Sequence, residues 1–197
     1  MLKLKISALV SGAVLLIAMT PSSEPDSSIC TYDKDGMLGL SYNEFDQNPD
    51  TGWRKVAVPG CEEVAADLII DWRTHNNRQD KILFWHEGQL RAEAGQYQSA
   101  IALFKLSRKT KAEDRGWGWN IYVDGSIAFL QGDKRALQKA KRNLANLRKP
   151  KNMGRSVDIN GNPVEVEWLL NLHVLEGFIR CWGQSYHEAY ACAAAIK

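Results

Sequence analysis

The stretch Ile82 to Arg108, ILFWHEGQLRAEAGQYQSAIALFKLSR, restricts the folds open to this chain more than any other. Before Ala94-Gly95-Gln96 the apolar residues Ile82, Leu83, Trp85 and Leu90 recur at helical spacing, and after it Tyr97, Ala100, Ile101 and Phe104 do the same. Helices this short are marginal alone and must bury their stripes, and a tight turn lets each cover the other. Weaker copies follow at Asn120 to Asn143 and at Leu172 to Ala194. A chain with three such stretches is predicted to be all-α.

The rest of the chain fits around these hairpins. From Cys61 onward Val64, Ala65, Leu68, Ile69 and Trp72 form another helical stripe, and the polar run from Asp71 to Asp80 breaks it. The second pair is predicted from about Trp117 to Gln131 and from Asp133 to Leu147. Asp133 falls at the start of its helix and Lys139, Lys141, Arg142 and Arg148 fall toward the end, as the helix dipole favours. Lys105 to Arg115 reads as a solvated helix end and loop. Lys149 to Pro163 interrupts the rhythm with two prolines and two glycines, and its Asn160-Gly161 pair between β-formers marks a small hairpin. Helix is expected again from about Glu165 to Cys181, with a turn at Trp182 to Ser185 and a last helix from Tyr186 to Ala195. Near the start, Asp33-Lys34-Asp35-Gly36 imitates a calcium loop. With Gly36 at the sixth position, however, Thr31 and Tyr42 fall where the end ligands belong. The segment reads instead as a polar turn leading into a short helix.

Glycine marks each proposed turn, at Gly60, Gly95, Gly132 and Gly183, with separations of 35, 37 and 51 residues. A small residue follows each of them, at Ala65, Ala100, Ala136 and Ala189, where it lets the second helix approach the first. Gly88, Gly95, Tyr97, Ala100 and Phe104 fall on the glycine, turn, tyrosine, alanine and aromatic positions of the tetratricopeptide motif, which the chain resembles over roughly residues 60 to 195. Gly125, Gly132 and Ala136 carry the likeness in the second unit with one residue fewer between turn and alanine. Gly177, Gly183, Tyr186 and Ala189 carry it in the third with one residue more. The resemblance implies a short right-handed solenoid of antiparallel helical hairpins that binds protein or peptide along its concave side. It implies no reaction.

Residues 1–22 read as a signal peptide: Met1 to Lys5 is basic, and Ile6 to Met19 is an apolar run of 14 residues, short for a membrane span. No stable membrane insertion is expected once that segment is removed. Residues 23–59 then form a small irregular N-terminal segment, and 60–197 a helical-repeat domain with an inserted loop at 149–163. Loss of Lys3 and Lys5 leaves 23 basic against 23 acidic side chains. That balance argues against nucleic acid, which demands a surplus of Lys and Arg. Four cysteines, Cys30, Cys61, Cys181 and Cys192, allow three disulfide connectivities in an exported chain. The preferred one staples the last hairpin through Cys181–Cys192 and ties the N-terminal segment down through Cys30–Cys61. The expected location is periplasmic or secreted.

An acid precedes the first-helix glycine in every unit: Glu87-Gly88, Asp124-Gly125 and Glu176-Gly177. In tetratricopeptide geometry these carboxylates share one groove, where they would hold a partner's basic segment through charge-assisted hydrogen bonds; the alternative is that each pairs locally and orients its helix. Trp85, Trp119 and Tyr122 join them as partner-binding candidates, Trp119 and Tyr122 being the favoured exposed anchors. His86-Glu87 lacks the second histidine of a zinc-protease helix, while His173 and Glu176 lie on one helical face. The expectation is therefore a non-catalytic module without cofactor, binding a protein or peptide partner in the cell envelope, with an immunity-type inhibitor of a periplasmic toxin as its sharper form. The alternative is a metal-assisted hydrolase with a site near His86, Glu87, His173 and Glu176.

Overall fold

The computed structural model describes residues 29–150, 156–157, 161–164 and 168–194; the expected signal segment lies outside them. Nine helices are described: α1 (Lys34–Leu38), α2 (Glu62–His75), α3 (Lys81–Glu93), α4 (Tyr97–Leu106), α5 (Lys111–Asp114), α6 (Trp119–Leu130), α7 (Lys134–Ala145), α8 (Leu172–Arg180) and α9 (Tyr186–Ala194). A π-helical turn at Asn43–Gln47 and a 3₁₀ turn at Gly52–Lys55 precede α2. Among the described residues the fold is all-α apart from one small ladder, in which β1 (Ser156–Val157) pairs antiparallel with β2 (Pro163–Val164). That ladder is the hairpin expected around Asn160-Gly161.

The predicted hairpins form as α3/α4, α6/α7 and α8/α9, and α2 packs on α3 ahead of them. Gly95, Gly132 and Gly183 turn the chain with φ of 75°, 69° and 90°, a left-handed conformation that a side chain disfavours. The first-helix glycines do different work. A Cβ on Gly88 would lie 2.7 Å from the Phe104 ring, and one on Gly177 would lie 2.7 Å from the backbone nitrogen of Ala193. The repeat is thus a pattern of close helix crossings. Two departures from expectation have simple causes. Helix α8 starts at Leu172 rather than near Glu165, because Asn171 takes a left-handed φ of 60° that no α-helix can pass through. Within the expected loop Lys105 to Arg115, α5 forms on a capping box, with Thr110 and Glu113 satisfying each other's backbone N–H groups.

The hairpins do not simply follow one another. In a linear array each repeat touches only its neighbours, yet α9 packs back on α3. The Tyr186 N–H donates to the Tyr97 hydroxyl at 3.4 Å. Phe104, Phe129, Phe178 and Tyr186, from α4, α6, α8 and α9, gather their rings in one core.

A second core lies at the other end. The N-terminal segment folds over α2 and the adjoining side of α3, burying Phe45 and Val56 with Leu68, Ile69, Trp72, Leu83 and Leu90. The Phe45 ring stacks on Trp72 with centroids 4.5 Å apart, and the Trp72 indole donates to the Leu40 carbonyl at 3.1 Å. Asp33 accepts from the Gly36 N–H and caps α1, the role that the polar-turn reading gives it. Both disulfides join the preferred pairs, Cys30–Cys61 and Cys181–Cys192. Disulfides of this kind fit an oxidising compartment.

Candidate functional site

Each of the three acids singled out in the sequence is held by a base from the preceding helix or its end. Glu87 pairs with Arg73 of α2 at 2.5 Å, Asp124 with Arg108 just after α4, and Glu176 with Lys141 of α7 at 3.1 Å. The alternative expected partners close by in sequence, such as Arg91 or Arg180; the bases that hold these acids come instead from other helices, so each pair bridges one helix to another. The first pair is buried, with side chains 10% and 4% exposed, and the Arg73 guanidinium lies over the Phe84 ring. Burial raises the Glu87 carboxyl above its ordinary range despite the opposing pull of Arg73 and Arg91.

The aromatic anchors are core rather than surface. Tyr122 and Trp85 are only 2% and 3% exposed. Trp119 is half-buried, packs edge-on against Trp85, and donates its indole N–H to the Ser107 carbonyl at 2.9 Å. The Trp119/Tyr122 expectation is therefore corrected. The side of α6 that they occupy faces α3 and α4, because rings this large supply most of the apolar area needed to close a small core. The residues of the alternative metal site are not brought together either. His86 is bound to Asp46, Glu87 to Arg73 and Glu176 to Lys141, while His173 is exposed. Among the described residues no group of three His, Cys, Asp or Glu side chains is placed to hold a metal.

What the fold does assemble is a cleft between the 3₁₀ turn and α3, about 230 Å³ in volume, lined by Trp53, Arg54, Ala57, His86, Gln89, Leu90 and Glu93. His86, Gln89, Leu90 and Glu93 share one side of α3 through their three-, four- and seven-residue spacing. The opposite wall depends on Gly52, whose φ is 61° and where any Cβ would lie 2.0 Å from the Phe45 carbonyl oxygen. Only glycine lets the chain pass that close, and the passage aims Trp53 and Arg54 at α3.

Behind the cleft sits Asp46, a carboxylate with no exposed surface. It accepts from the Trp53 indole N–H at 2.9 Å, from the Gln47 amide at 2.6 Å, and meets His86 Nδ1 at 2.7 Å. Burial alone would raise this carboxyl. The hydrogen bonds from His86 and Trp53 and the charges of His86 and Arg54 outweigh burial and hold it below the usual range. The ionised Asp46 accepts from His86 Nδ1 and orients the ring, and no described residue hydrogen-bonds Nε2. Arg54 lies over the Trp53 ring at 4.1 Å and donates to the Asp46 carbonyl. Burial pushes its guanidinium down, with Asp46 countering. Glu93 forms no hydrogen bond or ion pair with any described residue. Burial raises its carboxyl, His187 draws it back through space, and Glu62 adds to the rise.

Of this cleft the sequence pointed only to His86. Gln89 and Glu93 carried a usable signal, since they follow His86 on the same helical side. Asp46, Trp53 and Arg54 carried none, because Asp46 is 40 residues from the histidine it orients. The chain was compared with protein-family models, with curated proteins and with solved structures, and no match was found in any of the three.

Proposed function

We propose that this protein is an exported, non-catalytic module that grips a protein partner in the cleft between its N-terminal segment and α3. The observation that carries this reading is the fixed Asp46–His86–Trp53 cluster, which presents a shaped, mixed polar and apolar pocket on a rigid helix. Small-molecule sites usually enclose about 300–1,000 Å³. The cleft, at about 230 Å³, suits one anchoring residue of a larger partner, and such anchors dominate binding when desolvated in a pocket. The helical hairpins serve as a tetratricopeptide-like scaffold whose ends meet, and the two disulfides support a periplasmic or secreted setting. In its sharper form the partner is a toxin and this protein its immunity-type inhibitor.

A photoreactive amino acid at Ala57, on the wall of the cleft, tests this directly in cells producing the full chain. A covalent adduct with one specific protein is expected, competed by unlabelled protein. An adduct with an exported toxin would support the inhibitor form. No adduct from Ala57, with turnover of a small substrate that depends on His86, would replace the binding reading by an enzymatic one.

A further inference from the structure

The chemistry of the cleft defines its occupant further. Arg54 and Glu93 line the same small space with opposite charges, both half-buried, and are not paired with each other or with any other charged side chain within ion-pair distance among the described residues. Several other partly buried charges are paired, Arg73 with Glu87, Arg91 with Asp67, Arg108 with Asp124 and Lys141 with Glu176, and half-buried Lys109 lies over the Trp119 ring. Opposite charges kept apart and partly desolvated are costly to hold, and a ligand carrying the complementary dipole offsets that cost.

Between the two charges the walls are not uniform. Ala57 and Leu90 are apolar, and Trp53 presents its ring, already covered on one side by Arg54. Gln89 contributes an amide and lies beside the fully buried Tyr186 hydroxyl. His86 contributes Nε2, its ring held by Asp46 at the other nitrogen. The cleft thus offers a guanidinium, an imidazole nitrogen, apolar walls and a carboxylate. His86 and Glu93 are seven residues apart on α3, about 10 Å along the axis.

Resting on the protein-binding reading above, we infer that the occupant is the C-terminal basic residue of the partner chain, with its α-carboxylate at Arg54 and its side-chain cation at Glu93. A lysine or arginine stem supplies the aliphatic length that Ala57 and Leu90 cover, because such side chains bury their methylenes while the charged head finds a partner. The reverse dipole, an N-terminal amine with an acidic side chain, has too few methylenes to fill those walls. A neutral terminus leaves Glu93 uncompensated.

Fluorescence anisotropy on the oxidised protein tests this with an N-terminally labelled peptide of neutral Gly-Ser-Ala sequence ending in a free lysine. Three companions complete the set: the same peptide amidated at its C-terminus, one ending in norleucine, and one beginning with glutamate and labelled internally. Only the free lysine terminus is expected to bind well; amidation and norleucine should each weaken it at least tenfold. In Glu93→Gln, lysine should lose its advantage over norleucine while the sensitivity to amidation persists. Arg54→Gln should do the converse. Because Arg54 also holds the Asp46 carbonyl, its variant is read only if its melting temperature is preserved; the amidated peptide poses the same question to the unaltered protein. Equal binding of all four peptides, or better binding of the amidated one, overturns the inference. Free lysine competing as well as the peptide would overturn the chain-terminus part and make the ligand an amino acid. If the Ala57 crosslink captures a protein but no lysine-ended peptide binds, this inference fails and the protein-binding reading survives. Loss of both sinks both.

Discussion

Glu93 is a residue that the fold holds at a cost. Its carboxyl is raised by burial, with His187 and Glu62 the charged groups acting on it and no base bonded to it among the described residues. A raised acid in the folded state contributes stability that is fully present below the ordinary glutamate range and is lost as pH rises through the raised value. Glu93→Gln is therefore expected to raise the melting temperature at pH 7 and to leave it unchanged near pH 4, as thermal scans across that range would show. Asp46 titrates with the opposite sign. Burial works against it but is outweighed by His86, Trp53 and Arg54, so its contribution is present above the ordinary aspartate range and fades as pH falls below it. Asp46→Asn should cost stability at pH 7 and should flatten the acid limb of the stability curve. A melting profile that keeps the same acid limb in this variant would show that Asp46 is not the group responsible. At this scale the sequence was least informative: His86 stood out by type, but its partner Asp46 lies across a long loop with no spacing rule to connect them.

The interfaces between helices were far more legible, because they arise from spacing that repeats. Turn glycines mark where the chain reverses, as at Gly95, and crossing glycines mark where helices come close, as at Gly88 and Gly177. The acids before those glycines were equally visible, but their partners were not: Arg73, Arg108 and Lys141 come from the preceding helix or its end, which only three-dimensional packing brings near. Of these pairs Arg73–Glu87 is the buried one. Arg73→Met alone strands the Glu87 carboxylate and should cost about 3–5 kcal/mol, whereas Arg73→Met with Glu87→Leu should recover most of that loss. Urea denaturation of the two singles and the double measures the difference. At α8, Gly177→Ala sets a methyl against the backbone nitrogen of Ala193, where nothing can rotate away. A loss of about 1–3 kcal/mol is expected from such overpacking, visible as a lower urea midpoint with an unchanged slope. An equal midpoint would mean that α8 and α9 can slide apart freely.

Taken whole, the molecule is two cores sharing α3, and each disulfide guards one end. The helical content and the hairpins followed from periodicity. The N-terminal segment did not: its burial of Phe45 on Trp72 depends on irregular turns that leave no periodic trace. Closure of α9 onto α3 was hidden for a similar reason, since the repeat describes neighbours and not ends. The sequence separations are 31 residues for Cys30–Cys61 and 11 for Cys181–Cys192. Loop-closure entropy then predicts losses of about 4 and about 3 kcal/mol when each is replaced by alanines, and calorimetry on the two double variants would rank them. The larger loop carries Trp53, Arg54 and Ala57, one entire wall of the cleft, with Asp46 behind it. Without that disulfide the wall is joined to the helices by packing and a few hydrogen bonds, among them Asp46 to His86 and Trp72 to the Leu40 carbonyl, so under the binding reading proposed above gripping strength and thiol oxidation are coupled. A mild reductant should release a bound partner before the helical signal falls. If the cleft binds as proposed, readiness to bind would follow the redox state of the compartment, and a chain among reduced thiols would hold its jaw unlatched.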